Sequence, residues 1–368
     1  MSDDAYRTCP YRQLPQSSYW RQSVAECSAG DIDPVGEMPF RLEPTDRIAT
    51  AGSCFAQHIA RYLQRARCNY FVAEQPPGFI DREVAERFQY GTFSARFGNI
   101  YTSRQLLQLF QRAYGRFSPV AEAWSAEGRW YDPFRPSVQP EGFRSLAELE
   151  HDRRSHLARV RRMFEECDCL VFTLGLTETW RDRRDGAVFP VCPGCGYGEF
   201  DPEIHEFVNL SVRDVEADLG EFVASLREVN PAVKVILTVS PVPLIATHGG
   251  NHVLSATTYS KSVLRVAAET MSREHEQLAY FPSYEIITSS ASRGAYFADD
   301  LRSVKEQGVQ HVMRLFFHHL LPSVSLDLDA PSPSPAPQTA PARPPEPSRS
   351  TLSAEVADII CDEDRVLG

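Results

Sequence analysis

A serine and a cysteine lie side by side in the run Gly52-Ser53-Cys54-Phe55, between two different hydrophobic patterns. The apolar segment 47–51 predicts a short buried strand, and helical spacing of apolar residues begins at Phe55. A strand that turns directly into a helix presents its turn residue at the carboxyl edge of the sheet, where open α/β folds bind ligands. Backbone N–H groups at the helix start can hold an oxyanion and lower the pKa of a thiol. The run therefore predicts nucleophilic chemistry, and its structural alternative is a tight turn with a small buried serine and cysteine.

Histidines that follow the predicted strand 233–239 are the candidates for a general base. His248 and His252 lie in the segment after this strand, beyond Ser240-Pro241. Because such a segment leaves the sheet at its ligand-binding edge, we expect His252 to accept the proton of the nucleophile. His311 falls inside the last predicted helix and is expected to be structural.

The pair Cys192-Pro193-Gly194-Cys195 has the spacing of half a zinc site or of a redox dithiol. Zinc needs two more ligands, and a redox pair should open a helix after a strand, whereas this pair lies among glycines and prolines. We therefore expect a loop with two free thiols and no metal. Trp130, Tyr131 and Trp180 stand near polar loops, where they either stack on a sugar or belong to the core.

Strands alternate with helices along the rest of the chain. Apolar runs predict further strands at 170–174, 233–239 and 278–282. Helical spacing of apolar residues predicts helices at 102–112, 212–229, 260–275 and 304–321. This alternation is typical of βαβ units, so we expect an α/β protein with a mostly parallel sheet.

Composition divides the chain into four segments. Residues 1–45 carry little periodicity and predict an irregular N-terminal extension, and residues 46–323 carry the α/β pattern. Residues 324–350 are rich in proline, which cannot build a core, and they predict a disordered linker. Residues 351–368 space apolar residues helically among acidic ones, which indicates either a short amphipathic segment that docks on a partner or on the domain, or plain disorder.

Charge and composition exclude several classes of partner for the 368 residues. A formal net charge of −11 argues against nucleic acid and anionic membranes, because both require a basic surface. The arginine-rich segment 153–162 predicts a solvated helix face or loop, since acidic residues surround it. The N-terminus lacks the pattern of a secretory signal, and no apolar stretch reaches the ~20 residues of a membrane span. Nine irregularly spaced cysteines suit a reducing compartment, so we expect a cytoplasmic protein without membrane insertion.

Ordered motifs over about residues 40 to 320 resemble the GSCFA family. The segment Ala51-Gly52-Ser53-Cys54-Phe55-Ala56 is similar to the signature that names the family. Further similar stretches are Gly98-Asn99-Ile100-Tyr101-Thr102, Thr173-Leu174-Gly175-Leu176-Thr177-Glu178-Thr179-Trp180, Thr238-Val239-Ser240-Pro241-Val242-Pro243-Leu244, residues 252–265 and Phe281-Pro282-Ser283-Tyr284-Glu285-Ile286. The family is grouped with SGNH hydrolases, so the resemblance implies a flavodoxin-like three-layer α/β/α sandwich. It also implies an esterase, lipase, or carbohydrate O-acetyl esterase or transferase activity.

The resemblance also assigns roles by position at the first two SGNH blocks. The Gly-Asp-Ser turn of SGNH enzymes places Cys54 at the nucleophile, and Ser53 is the alternative if the turn is built one residue earlier. A thiolate is the more potent nucleophile at neutral pH, which favours Cys54. Gly98, with Asn99 beside it, stands where the second block supplies an oxyanion-hole N–H and substrate contacts.

The third and fourth SGNH blocks depart from the family pattern. In place of Gly-x-Asn-Asp, this chain has Thr177 where the asparagine would donate a hydrogen bond, and Glu178 where it can orient a histidine or a substrate hydroxyl. The last block places a histidine three residues after an aspartate, but Ser303 follows Asp300 here. The base must then come from elsewhere, with His252 as the expected base and Asp300 or Glu178 orienting it.

Together, these residues imply an acyl-transfer enzyme that cleaves or transfers a small acyl group. The expected substrate is a small-molecule or glycan acyl ester, and the mechanism requires no metal or organic cofactor. The alternative is a non-catalytic binding or scaffold protein that keeps the fold, lacks the family histidine, and recruits a protein partner through its C-terminal tail.

Overall fold

The computed structural model describes residues 9–325. In chain order its strands are β1 (Ile48–Gly52), β2 (Trp124–Ala126), β3 (Arg129–Tyr131), β4 (Cys169–Leu174), β5 (Glu178–Asp182), β6 (Val188–Phe189), β7 (His205–Asn209), β8 (Lys234–Val239) and β9 (Leu278–Phe281). Its α-helices are α1 (Ala56–Arg65), α2 (Arg82–Arg87), α3 (Ser103–Ala113), α4 (Leu146–Glu166), α5 (Val212–Val229), α6 (Val253–Glu274), α7 (Ser283–Thr288) and α8 (Glu306–Leu320).

Parallel strands form the central sheet in the order β1-β4-β8-β9. Gly52 pairs with Thr173 of β4, and Thr173 pairs with Thr238 of β8, so these three strands end together at one edge. Every residue of β1 and β4 is buried. Strands covered on both faces need apolar residues on both, which is why these segments are continuous apolar runs rather than alternating ones.

A fifth segment extends the sheet beyond β1. Tyr70 forms a parallel bridge with Ile48. The Ile48 N–H donates to the Asn69 carbonyl at 3.0 Å, and the Phe71 N–H donates to the Ile48 carbonyl at 2.9 Å. With this segment counted second along the chain, the strand order is 2-1-3-4-5, which is the flavodoxin-like order. The order reverses between β1 and β4, and open α/β sheets bind ligands at such a switch point.

Helices cover both faces of this sheet. Helices α3, α4, α5 and α6 pack on one face, where Phe164 and Phe222 meet edge to face. Helices α1, α7 and α8 pack on the other face, where Phe316 meets Phe281 of β9. The protein is therefore a three-layer α/β/α sandwich with a mostly parallel sheet, which confirms the expected fold class.

Two smaller sheets lie in the segments between α3 and α5. Strand β5 pairs antiparallel with β6 and β7, and β2 pairs with β3 in a hairpin. They share an apolar cluster formed by Trp124, Phe189, Val191 and Tyr197. The hydrophobic pattern did not predict these strands, because β2, β3 and β6 are only two or three residues long.

Most predicted elements of the central sandwich have nearly the predicted bounds. The predicted helix 212–229 coincides with α5, whereas the predicted helix 260–275 begins at Val253. The arginine-rich segment belongs to α4, where Arg161 and Arg162 on the exposed face pair with Glu165 and Glu166.

The segment before β1 attaches to the sandwich through Leu42. This side chain is buried against the α8 face, and its N–H donates to the Leu320 carbonyl at 2.7 Å. The predicted linker and C-terminal segment lie outside the described residues, except for residues 324 and 325. Within residues 9–325, no helix combines the length and the apolar character that a bilayer crossing requires.

Candidate functional site

The turn after β1 has a backbone that only glycine fits at its first position. Gly52 has a φ of 133°, and a Cβ there would lie 2.4 Å from the Thr173 carbonyl oxygen. The Ser53 N–H donates to that same oxygen at 3.0 Å. The chain therefore leaves the sheet in close contact with β4 and enters α1 at Ala56, with Phe55 at the N-cap. This start is one residue later than predicted.

Ser53 and Cys54 form the first turn that leads into α1. The Ser53 carbonyl accepts from the Ala56 N–H at 2.9 Å, and the Cys54 carbonyl accepts from the Gln57 N–H at 3.1 Å. Both side chains are buried, and the Ser53 Oγ has no hydrogen-bond partner among the described residues. An unpartnered buried hydroxyl costs about 1–3 kcal/mol, so a ligand that hydrogen-bonds it would recover that loss.

Gly175 forms the opposite wall of the turn, at the end of β4. A Cβ on Gly175 would lie 2.9 Å from the Ser53 Cβ and 3.1 Å from the Tyr101 carbonyl oxygen. The Gly175 N–H donates to this Tyr101 oxygen at 2.9 Å. The ends of β1 and β4 and the segment before α3 thus meet at the switch point of the sheet.

The second block approaches the turn through Asn99 and Ile100. The Ile100 N–H donates to the Gly52 carbonyl at 2.8 Å, and the Asn99 Oδ1 accepts from the Gln57 Nε2 at 3.4 Å. Gly98 has a φ of 70°, and a Cβ there would face Ser137 and Gln89. Asn99 is therefore the residue of this block that the structure brings beside the first turn of α1.

Thr177 and Glu178 anchor the loop between β4 and β5. The Thr177 Oγ1 donates to the Asn209 Oδ1 at 2.6 Å, and its N–H donates to the Ser260 Oγ at 3.0 Å. The Glu178 carboxylate accepts from the Thr247 Oγ1 at 2.6 Å. Burial raises the pKa of Glu178, and the hydrogen bond from Thr247 opposes that rise only in part.

The candidate histidines lie in three different environments. His252 is exposed and caps α6, with its Nδ1 accepting from the Leu254 N–H at 3.2 Å. His248 packs against the rings of Trp180 and Phe207. His311 is buried and bonded to the Tyr296 hydroxyl and the Ile32 carbonyl, so it ties α8 to the N-terminal segment.

Asp300 and Ser303 bond to each other in a tight turn before α8. The Asp300 Oδ2 accepts from the Ser303 hydroxyl at 2.6 Å, and its Oδ1 accepts from the N–H groups of Arg302 and Ser303 at 2.9 Å. Burial alone would raise the pKa of Asp300, but these hydrogen bonds outweigh it and lower the pKa. The Arg302 Nε donates to the Pro243 carbonyl, which places this turn beside the segment that follows β8.

Sequence reasoning missed Lys261, whose ammonium reaches from α6 to Gly175, the residue opposite Ser53. Lys261 is 2% exposed, and its Nζ donates to the Gly175 carbonyl at 2.5 Å. The sequence did contain one indication of it. Lys261 lies at helical spacing with Leu264 and Ala268, on a face of α6 where apolar residues predict burial.

Cys192 and Cys195 lie in a loop within reach of each other. Burial raises the pKa of Cys192 to about 12, and the neighbouring Cys195 adds to that rise. Within residues 9–325, no group of three or more histidine, cysteine or acidic side chains has the arrangement of a metal site. Trp180 packs against Phe200 and Phe207.

The comparisons with known proteins identify a family and find a distant similarity to solved structures. The model of the GSCFA family matches residues 47–316. No curated protein matches the chain. Among solved structures, the chain is similar to an acetyl xylan esterase (Est2A) from the rumen bacterium Butyrivibrio proteoclasticus, with 12% sequence identity and a TM-score of 0.22. The match covers 68% of this chain and 57% of that esterase, so the chain spans little more than half of its length.

Proposed function

Because the chain belongs to the GSCFA family, we propose that it is an acyl-transfer enzyme, an esterase or O-acyltransferase that acts on a small or glycan-linked acyl ester. The observation that carries this proposal is the turn after β1. It holds a hydroxyl and a thiol at the switch point of the sheet, and the Ser53 hydroxyl has no partner among the described residues. Open α/β folds bind ligands at this point.

Cys54 is the proposed nucleophile. Its thiolate attacks the acyl carbonyl, a carbon–sulfur bond forms, and the ester C–O bond breaks as the alcohol leaves with a proton taken from water. Water or an acceptor hydroxyl then attacks the thioester. This second step loses one proton to solvent, releases the acid or the new ester, and regenerates the thiolate.

Donors around the turn are proposed to stabilise the oxyanion. The backbone N–H of Cys54 and the side-chain amide of Asn99 are our candidates, since Asn99 contacts the first turn of α1. The Ser53 hydroxyl is proposed to bind the substrate. Glu178, whose pKa is raised by burial, is suited to hydrogen-bond a substrate hydroxyl. Gly98 and Thr177 stay predictions as further donors. His252 as the general base, with Asp300 or Glu178 to orient it, also stays a prediction.

The first prediction separates the two nucleophile candidates. Cys54→Ala is expected to abolish turnover of short-chain acyl esters, by about a thousandfold or more, because the covalent step is lost. Ser53→Ala should leave a measurable fraction, since it removes a binding contact and not the attacking atom. Cys68→Ala, which removes a buried thiol away from the turn, is the matched control and should keep its rate. Turnover would be followed by release of the free acid from the purified protein.

Equal loss in Cys54→Ala and Ser53→Ala would contradict the assignment to Cys54. Loss of turnover in Ser53→Ala alone would identify the serine as the nucleophile. An acyl group found on the Cys54 peptide by mass spectrometry would support the assignment directly.

A non-catalytic binding protein is the second candidate function. The observation that favours it is the hydrogen bond between Asp300 and Ser303. These residues stand where SGNH enzymes have the aspartate and the histidine, and here they bond to each other in a closed turn. Under this alternative, no acyl ester is turned over, and no acyl group accumulates on either Ser53 or Cys54.

A further inference from the structure

Helix α6 buries a charged side chain in its central turns. Lys261 is 2% exposed and shares its face of the helix with Leu264 and Ala268. Lysine is almost never fully buried unless its charge is compensated, because a buried ammonium loses its hydration. The 2.5 Å bond from its Nζ to the Gly175 carbonyl is short for N–H···O and fits a charge-assisted contact. The burial of this charge is costly, so a lysine at this position indicates a role that an apolar residue could not fill.

The carbonyl that Lys261 holds belongs to the residue that walls the reactive turn. A Cβ on Gly175 would lie 2.9 Å from the Ser53 Cβ, so Gly175 and Ser53 are in van der Waals contact. Lys261 thus hydrogen-bonds the residue that contacts Ser53, and Cys54 follows Ser53 in the turn.

Helix α6 binds the same loop at a second point. The Ser260 Oγ accepts from the Thr177 N–H at 3.0 Å. Two consecutive residues of α6 therefore bind the first and third residues of the loop 175–177. Since α6 packs on β8 and β9, it fixes this loop relative to the sheet and to the reactive turn.

Several other charged groups on α6 and on the elements around it have partners of their own. The pairs are Arg104 with Asp218, Arg265 with Glu269 and Glu285, Glu178 with the Thr247 hydroxyl, and the Arg302 Nε with the Pro243 carbonyl. The Lys261 ammonium is the positive charge that α6 directs at the loop beside Ser53.

We infer that Lys261 is a positioning residue of the reactive turn, whose ammonium holds the Gly175 carbonyl against Ser53 and stabilises the thiolate of Cys54. The inference rests on the proposed acyl-transfer function and offers a way to activate Cys54 without the histidine of SGNH enzymes. A nearby cation favours a thiolate over a thiol. The Cys54 proton then leaves to solvent before substrate binds, and no imidazole has to accept it.

The test compares Lys261→Met and Lys261→Gln with the wild-type protein. Ionisation of Cys54 is measured as the ultraviolet absorbance of its thiolate against pH, taken as the difference between each protein and its own Cys54→Ala counterpart. We expect both Lys261 variants to raise the pKa of Cys54 by about one unit or more, which is roughly tenfold less thiolate at a given pH. Lys261→Arg, which keeps the charge, should shift the pKa less.

The Cys54 titration can overturn the inference in two ways. One is a folded Lys261→Met protein whose Cys54 titrates as in the wild type. If Lys261→Met does not fold, the second is the same unchanged titration in Lys261→Gln, which keeps a donor for the Gly175 carbonyl but no charge. A merely structural lysine would alter the melting temperature of the variants without moving this titration.

The same experiment distinguishes this inference from the proposed function. The titration needs no turnover, so a shifted Cys54 pKa without any ester hydrolysis would support the role of Lys261 and reject the acyl-transfer enzyme. In an active protein, the acid limb of the kcat/KM profile, which reports ionisation in the free enzyme, should move to higher pH in Lys261→Gln together with the titration. A kcat/KM profile that stays in place would again overturn the inference.

Discussion

At the reactive turn, two glycines set the available space in different ways. Gly52 needs its positive φ and also lies against the β4 backbone, whereas Gly175 has an ordinary φ and lacks only the room for a Cβ. We expect Gly175→Ala to push Ser53 out of place, to destabilise the fold by about 1–3 kcal/mol, and to lower turnover. The matched control is Gly220→Ala in α5, where nothing lies within 4 Å of the added Cβ. It should raise stability by up to about 1 kcal/mol.

Thermal denaturation and ester turnover of both glycine variants would check this prediction. A Gly175→Ala protein with wild-type melting temperature and rate would show that the loop after β4 shifts without affecting Ser53. This result would contradict the positioning role of Lys261, because the position of Gly175 would then not determine the position of Ser53.

His252 has a structural task besides the chemical role predicted for it. Its Nδ1 accepts from the Leu254 N–H, and a neutral imidazole with an acceptor at Nδ1 carries its proton on Nε2. No lone pair is then left for the proton of the nucleophile while the cap is intact. We expect His252→Asn, which keeps a capping acceptor, to retain its melting temperature and to stay within about tenfold of the wild-type kcat, well above the loss of a general base.

His252→Ala is the companion variant, and it should lose about 0.5–2 kcal/mol of stability with the cap. A drop in kcat of about a hundredfold or more in both variants would instead establish His252 as the general base. Circular dichroism melting curves beside steady-state rates separate the two contributions.

At the scale of elements, the strands of the central sheet were predictable from the sequence and the inserted strands were not. Strands β1, β4, β8 and β9 are buried on both faces, so each is a continuous apolar run with bounds within about one residue of those predicted. Strands β5 and β7 carry mostly polar side chains and β6 has only two residues, so a window of apolar residues does not detect them. Helix α4 was predicted only in part, as a solvated helix face or loop over 153–162, because only five of its 21 residues are buried.

Only the part of the candidate site that is built from neighbouring residues in the sequence was predictable. The turn at Gly52 follows from a strand that meets a helix, so the sequence locates it. The bond from Lys261 to Gly175 joins residues 86 apart in sequence and exists only because α6, packed on β8 and β9, brings Lys261 to the residue after β4. Likewise, the Ser53–Gly175 contact depends on the parallel register that sets Gly52 opposite Thr173. Such tertiary contacts leave no local pattern for a single sequence to show.

At the scale of the whole molecule, a buried ionic network joins the hairpin segment to the helical layer. Asp132, which follows β3, is fully buried and pairs with Arg135 at 3.0 Å and with Arg153 of α4 at 3.2 Å. Arg135 also pairs with Asp152 of α4 at 2.6 Å. Removing one partner of such a network leaves an uncompensated buried charge, which typically costs about 3–5 kcal/mol.

This network predicts how stability depends on acid. Burial would raise the pKa of Asp132, but Arg135, Arg153 and Arg112 outweigh burial and hold it well below its ordinary value. Because the folded-state pKa is depressed, the stabilisation is fully present above the unfolded pKa of about 4 and is lost as the pH falls below it. Asp132→Asn should therefore lose about 3–5 kcal/mol at neutral pH and show a flatter decline of stability below about pH 4. Denaturant unfolding at several pH values would measure both effects, with the exposed Glu276→Gln as control; equal acid slopes in wild type and Asp132→Asn would show that Asp132 carries none of the acid sensitivity.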